Sequence, residues 1–313
     1  MFQGTYTALF TPMNPNSRVK KEFSVDYAGF EKLLKYQINW GVDGLVVLGT
    51  TAETPQLDTR EKNRLVKTAK ESIAESDRDV KLIIGTGDIN PYTARDNTWR
   101  AYEAGANAAM VVVPYYVKPN TAGLIKSFEM LAEIPIPIII YNVPGRTGRG
   151  ITIEEYKELV QIPNIFGVKE ASGNIDHIDR VINEIKNPMI AKGREFSVLS
   201  GDDGLTFKVM QAGGDGVISV ISNVVPRQVK ALTDAMHAGD ISKAEEINKM
   251  LAGLAELAFI DSNPVPIKYI GMRMGLIKHD CCRLPLSYMA KEKGTIANRF
   301  LVNFLSGNYS RTA

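Results

Sequence analysis

The chain has 313 residues, 44% of them hydrophobic, with 37 lysines and arginines against 35 aspartates and glutamates. That is enough apolar material for one large core or two ordinary domains, and nothing in the composition predicts disorder. A net charge of +2 gives no electrostatic reason to expect nucleic acid or an anionic membrane as partner, which leaves a small molecule.

Strands are predicted near 5–10, 44–48, 81–85, 108–113, 136–141, 165–169, 196–200 and 216–220, each followed by a helical segment. One pattern recurs at Gly41-Val42-Asp43-Gly44, at Gly105-Ala106-Asn107 and at Gly214-Asp215-Gly216: a glycine closing a helix, a short polar turn, then a buried strand. Apolar residues at helical spacing precede it, as with Phe30, Leu33, Leu34 and Tyr36. Continuous apolar strands alternating with amphipathic helices imply a parallel sheet covered by helices, and eight such units in about 240 residues suit a closed barrel. The predicted fold is α/β, a (β/α)8 TIM barrel over residues 1–238. A doubly wound open sheet is the alternative, but no Gly-x-Gly-x-x-Gly follows the first strand, and Gly85-Thr86-Gly87 lacks the third glycine. From Ile241 onward the pattern is helical without strands, near 241–260, 264–276 and 289–305. No linker rich in Gly, Ser or Pro precedes it, so residues 239–313 are expected to be a C-terminal helical extension packed on the barrel.

No apolar run approaches the roughly 18 residues of a spanning helix. The N-terminal MFQGTYTALFTPM has no basic n-region followed by an apolar h-region, so a cytoplasmic location is the default expectation. Cys281 and Cys282 are sequence neighbours, poorly placed to pair with each other, and are read as reduced thiols of the core. His177, His237 and His279 lie far apart and outside any HExxH, so no metal site of familiar spacing, and no cofactor, is expected. Without a Gly-x-Ser-x-Gly elbow, covalent chemistry would fall to a nucleophile other than serine.

Barrel enzymes carry their sites at the C-terminal ends of the strands, which directs attention to the polar residues that follow apolar runs. These are Thr50 and Thr51, Tyr115 and Tyr116, Tyr141 and Asn142, Lys169 and Glu170, Ser200 to Asp203, and Ser219. Lys169 stands where desolvation can lower its pKa from about 10.4 and leave a neutral amine to attack a carbonyl. A strand-end lysine can equally snorkel to solvent. Tyr141 and Tyr116 are placed to pass protons in relay with the Thr50 hydroxyl, although barrel tyrosines also serve simply to pack. The Thr50-Thr51 turn offers hydroxyls and N–H groups suited to a carboxylate, or a helix cap. Arg146, five residues past Tyr141, has the donor fork to grip a second carboxylate.

Gly49-Thr50-Thr51-Ala52-Glu53, Tyr141-Asn142-Val143-Pro144-Gly145-Arg146-Thr147-Gly148 and Gly167-Val168-Lys169-Glu170-Ala171-Ser172-Gly173-Asn174 resemble, in order and spacing, three signatures of the dihydrodipicolinate synthase and N-acetylneuraminate lyase family. Pro114-Tyr115-Tyr116, Ser200-Gly201-Asp202-Asp203, Gly216-Val217-Ile218-Ser219, Asn263-Pro264 with Pro266 and Lys268, and Arg283-Leu284-Pro285 extend the resemblance over nearly the whole chain. Arg146 points to the synthase branch, because the sialic acid lyases lack it. Aldolases and dehydratases of keto-deoxy sugar acids share the lysine and the tyrosine and are the alternative, with a non-catalytic pyruvate-binding protein a distant third.

The resemblance implies a Schiff base between Lys169 and pyruvate, with the pyruvate carboxylate on Thr51 and the Thr50-Thr51 turn. Tyr141, Thr50 and Tyr116 would then pass protons, and Arg146 would hold L-aspartate 4-semialdehyde. It further implies that the Ile218 carbonyl and Gly201-Asp202 shape the pocket, and that Tyr116 completes a neighbouring subunit's site in a homotetramer built as a dimer of dimers. Two features depart from the family pattern. Ala52 replaces a usual glycine, which is harmless at negative φ. The lysine feedback site of some synthases corresponds here to Thr54, Pro55, Thr59, Lys62, Asn90 and Tyr115, with Arg95 near the position of an acid, so feedback by a cationic effector is expected to be weak or absent.

Overall fold

The computed structural model describes residues 1–15 and 23–306. Eight parallel strands, β1 (Gly4–Ala8), β2 (Gly44–Val47), β3 (Lys81–Gly85), β4 (Ala108–Val112), β5 (Ile138–Asn142), β6 (Ile165–Glu170), β7 (Ser197–Ser200) and β8 (Gly216–Ser219), pair in chain order and close β8 onto β1. These are the eight strands expected, within a few residues. β1 ends early because the Phe10 N–H leaves the ladder to donate to Asn223 Oδ1 at 3.1 Å. β5 begins late because Pro137 has no N–H to contribute.

Side chains alternate between two buried layers, which is why the strands read as unbroken apolar runs. Along β5, Ile139 and Tyr141 point into the barrel with Tyr6, Val46, Ile83, Met110, Leu199 and Ile218. Ile138 and Ile140 join the larger cluster beneath the helices. The barrel helices are α1 (Tyr27–Asn39), α2 (Thr59–Ala74), α3 (Pro91–Glu103), α4 (Thr121–Leu131), α5 (Ile153–Leu159), α6 (Ile175–Arg180), α7 (Thr206–Gln211) and α8 (Pro226–His237). α6 runs on through a π-helical turn over Val181–Lys186 to Ala191. Asp58 with Glu61 and Thr152 with Glu155 form capping boxes that start α2 and α5. A small antiparallel pair, Met13–Pro15 with Phe23–Val25, was not anticipated from the sequence.

The C-terminal helices are α9 (Ile241–Leu257), α10 (Val265–Arg273) and α11 (Lys291–Phe304). The end of the expected extension, 307–313, lies outside the described residues. α9 packs on α8 and on the turn Asp203–Leu205, while α10 reaches the turn Ile221–Asn223. Both turns follow barrel strands, so the helical layer sits over the strand ends where a barrel keeps its chemistry. Among the described residues, no helix is long and apolar enough to cross a membrane.

Candidate active site

β5 and β6 pair with Tyr141 beside Lys169 and Asn142 beside Glu170. The first pair faces a cleft at the strand ends, and Lys169 is 95% buried there, with Nζ 4.3 Å from the centroid of the Tyr141 ring. The second pair anchors the strands. The fully buried Glu170 carboxylate accepts both Asn142 Nδ2 contacts, at 3.0 and 2.9 Å, and also the Tyr156 hydroxyl at 2.7 Å and the Ser172 N–H at 2.9 Å. Asn142 Oδ1 in turn accepts the Ile151 N–H, which ties the loop carrying Arg146 to the strand carrying Lys169.

After β2, Thr50–Ala52 form a 3-10 turn closed by Ala52 N–H to Gly49 O and Glu53 N–H to Thr50 O. The positive φ of this turn falls at Glu53, at +56°, and not at Ala52, so the alanine is accommodated as expected. Thr51 is buried, and its hydroxyl accepts from Asn263 Nδ2 at 3.0 Å. Because Asn263 is the donor in that bond, the Thr51 O–H is free to donate elsewhere. After β7, Gly201 passes so close to the lysine that a Cβ there would lie 3.1 Å from Lys169 Cε and 2.6 Å from Ala171 Cβ. Only glycine leaves the amine its space.

Burial pushes the Lys169 ammonium down to about 8, with Arg146 adding to the shift and Asp203 opposing it. Asp203 is itself buried, its carboxylate taking the Ser219 hydroxyl at 2.5 Å and the Val220 and Ile221 N–H groups at 2.8 and 3.1 Å. Burial raises the Tyr141 hydroxyl above its ordinary range, while Arg146 and a hydrogen bond with Thr50 oppose the rise. A neutral, attacking amine beside a protonated phenol suits addition to a carbonyl.

The cleft, of about 130 Å³, brings together Thr50, Thr51, Tyr141, Arg146, Lys169, Gly201 and Asp202. Ile218 does not line it: the side chain lies in the inner barrel layer, and Val220, two residues on, faces the cleft instead. Tyr116 also stays outside, 85% exposed with a positive φ of 69°. Phe259 and Asn263 complete the wall from the helical layer, and no strand-end rule could have placed them, because they reach the cleft only through tertiary packing. A larger cavity of about 590 Å³ adjoins the cleft through Thr50, Tyr141, Val143 and Arg146 and runs between α2 and α3 past Lys62 and Tyr115. The chemistry belongs to the smaller space, which holds Lys169. Arg95 lies apart from the larger cavity and pairs with Glu133 at 3.3 Å.

Comparison with known proteins identifies the family. The chain is 39% identical over 307 residues to a 4-hydroxy-tetrahydrodipicolinate synthase of Methanoculleus marisnigri, covering 97% of this chain and 99% of the relative. The crystal structure of dihydrodipicolinate synthase from Aquifex aeolicus superposes with a TM-score of 0.88 at 37% identity, over 97% of this chain and 98% of that one. The enzyme of the same name from Thermotoga maritima gives 0.90 at 34% identity, over 97% and 99%. The model of the dihydrodipicolinate synthetase family matches residues 1–302, and the chain belongs to that family.

Proposed function

We propose that this chain condenses pyruvate, held as a Schiff base on Lys169, with L-aspartate 4-semialdehyde to form 4-hydroxy-tetrahydrodipicolinate. Enzymes of the family are Schiff-base lyases of the class I aldolase type. The observation that carries the reading for this chain is a buried amine, pushed down to about 8, in a cleft shared with Tyr141, Thr50, Thr51 and Arg146.

The neutral Lys169 amine attacks the pyruvate ketone to give a carbinolamine, which loses water to form an iminium. Tyr141 and Thr50, already hydrogen-bonded, carry the protons that this exchange requires. The Thr51 hydroxyl and the N–H groups heading the Thr50–Ala52 turn hold the carboxylate. Loss of a methyl proton gives the enamine, whose carbon adds to the semialdehyde's aldehyde while Arg146 grips its carboxylate. The substrate's own amine then attacks the former ketone carbon and displaces Lys169, closing the ring and freeing the enzyme. Gly201 and Asp202 shape the pocket, with the Ile218 carbonyl behind it.

Tyr116 supports an oligomeric reading. What supports it is a tyrosine held at positive φ and 85% exposed, next to a cavity that opens on Thr50 and Tyr141, with its ring open to contact by a second copy. The homotetramer, built as a dimer of dimers in the cytoplasm, is the assembly we infer.

The test is condensation of the two substrates, coupled to an NADPH-dependent reductase, for the wild type and Lys169→Ala. Activity that collapses in the variant supports the proposal. Borohydride trapping of pyruvate on Lys169 without turnover of the semialdehyde would overturn the acceptor and point to a sugar-acid aldolase.

A further inference from the structure

The Thr50–Ala52 turn ends on a buried charge. Glu53 is 98% buried and its side chain is fully enclosed. Its Oε1 accepts from Lys268 Nζ at 2.7 Å, and its Oε2 accepts the Arg283 N–H at 2.8 Å. Lys268 lies 215 residues away on α10, and its side chain is likewise fully enclosed. Two ions withdrawn from water in this way contribute little net stability, and an apolar pair of similar size could often replace them without loss. What such a pair supplies is a fixed geometry.

The residue so fixed needs fixing. Glu53 adopts the left-handed conformation, φ +56° and ψ +38°, which non-glycine side chains seldom take. Its N–H closes the turn on Thr50 O, and its carbonyl accepts from Gln56 in the next turn. Among the described residues, its carboxylate is the part of the turn that grips the helical layer ionically. Around that grip, the Arg283 guanidinium donates to Phe23 O, Gln56 O and Glu61, and Asn263, at the head of α10, donates to the Thr51 hydroxyl. The thiol of Cys282, near both ions, is pushed up to about 12 by burial, so it does not compete with Glu53 as an anion.

We infer that Lys268 is a positioning residue for the carboxylate-binding turn: it holds Glu53, and through Glu53 it sets where Thr50 and Thr51 present their hydroxyls and N–H groups. The helical layer is thereby part of the pyruvate site without touching pyruvate through Lys268. The inference rests on the proposed role of Thr50 and Thr51. It assigns the second substrate no dependence on Lys268, because Arg146 is carried by a different loop, after β5.

The experiment measures both Michaelis constants, kcat and the melting temperature for Lys268→Met and for the double variant Glu53→Gln/Lys268→Met, with Thr51→Val as reference. Positioning predicts that KM for pyruvate rises at least five-fold in Lys268→Met while KM for the semialdehyde changes less than two-fold. The double variant, which leaves no uncompensated charge, should recover most of the melting temperature and yet keep KM for pyruvate at least three-fold high. A wild-type pyruvate KM in either folded variant overturns the inference. Should Lys268→Met not fold, the double variant decides alone. An unchanged pyruvate KM in Thr51→Val would instead count against the assignment of that threonine, and the two failures are therefore distinguishable.

Discussion

Lys169 lies with its amine nitrogen 4.3 Å from the centre of the Tyr141 ring, on the neighbouring strand of the same register pair. An aromatic face at this distance favours the ammonium, while burial, with Arg146 adding and Asp203 opposing, pushes the group down to about 8. The Schiff base needs the free amine. Trapping of pyruvate by borohydride should therefore accelerate as pH rises and level off above a midpoint close to 8. Asp203 favours the protonated lysine, so Asp203→Asn should move the midpoint down. An upward move would show that Asp203 does not act on Lys169 through its charge.

Arg146 acts on the same amine with the opposite sign. Its guanidinium is exposed at the cleft, where a substrate carboxylate can meet it. A charge-assisted bond of about 1.5–3 kcal/mol corresponds to roughly ten- to hundred-fold in binding. In Arg146→Ala, KM for the semialdehyde should rise by about that factor while KM for pyruvate changes much less. The trapping midpoint should move up, because a nearby cation has gone. Steady-state kinetics with each substrate varied in turn, together with the trapping profile, checks both expectations.

Much of this was legible in the chain itself, for identifiable reasons. The barrel shows in the sequence because each strand is buried on both faces and each helix on one, so periodicity and burial coincide. Lys169, Tyr141 and Thr50 show because a strand-end position is itself a functional signal. Asn263, Phe259 and the Glu53–Lys268 pair had no such signal. Asn263 and Lys268 stand out in the sequence only within a motif, and what they do depends on α9 and α10 folding back over the barrel mouth. Ile218 was placed correctly on β8, but its side chain points into the barrel, and because the strand ends at Ser219, Val220 leaves the strand's alternation and faces the cleft.

Glu170 should matter to stability more than its charge alone suggests. Glu170→Ala leaves the buried Asn142 amide and Tyr156 hydroxyl, and the partly buried Ser172 N–H, without their acceptor. Stranded buried donors cost about 1–3 kcal/mol each before relaxation, so a loss of about 3–5 kcal/mol is expected. In a chain of this size that lowers the melting temperature by roughly 5–8 °C. Glu170→Gln keeps one acceptor oxygen and the shape, and should lose less than half as much. Thermal denaturation of the two variants against wild type makes the comparison, and equal losses would show that volume, not hydrogen bonding, sets the cost.

L-lysine should be a poor inhibitor of this protein. The cavity beside the cleft is lined by Lys62, Lys67, Lys70, Arg100 and Arg146, with Asp88 the acidic residue on its wall. A cationic amino acid entering there would bring its side-chain charge among like charges, and at the roughly 10 Å screening length of moderate salt these are still felt. Arg95 contributes less than its position in the sequence suggested, because it lies outside the cavity and pairs with Glu133. Lys62 is the decisive residue, since it lines the same stretch as Thr54, Pro55 and Tyr115. Initial rates titrated with L-lysine should show no tight, saturable loss of activity, and Lys62→Ala should make the protein more responsive. Strong saturable inhibition of the wild type would mean that Asp88 and the neighbouring carbonyl groups outweigh these five cations.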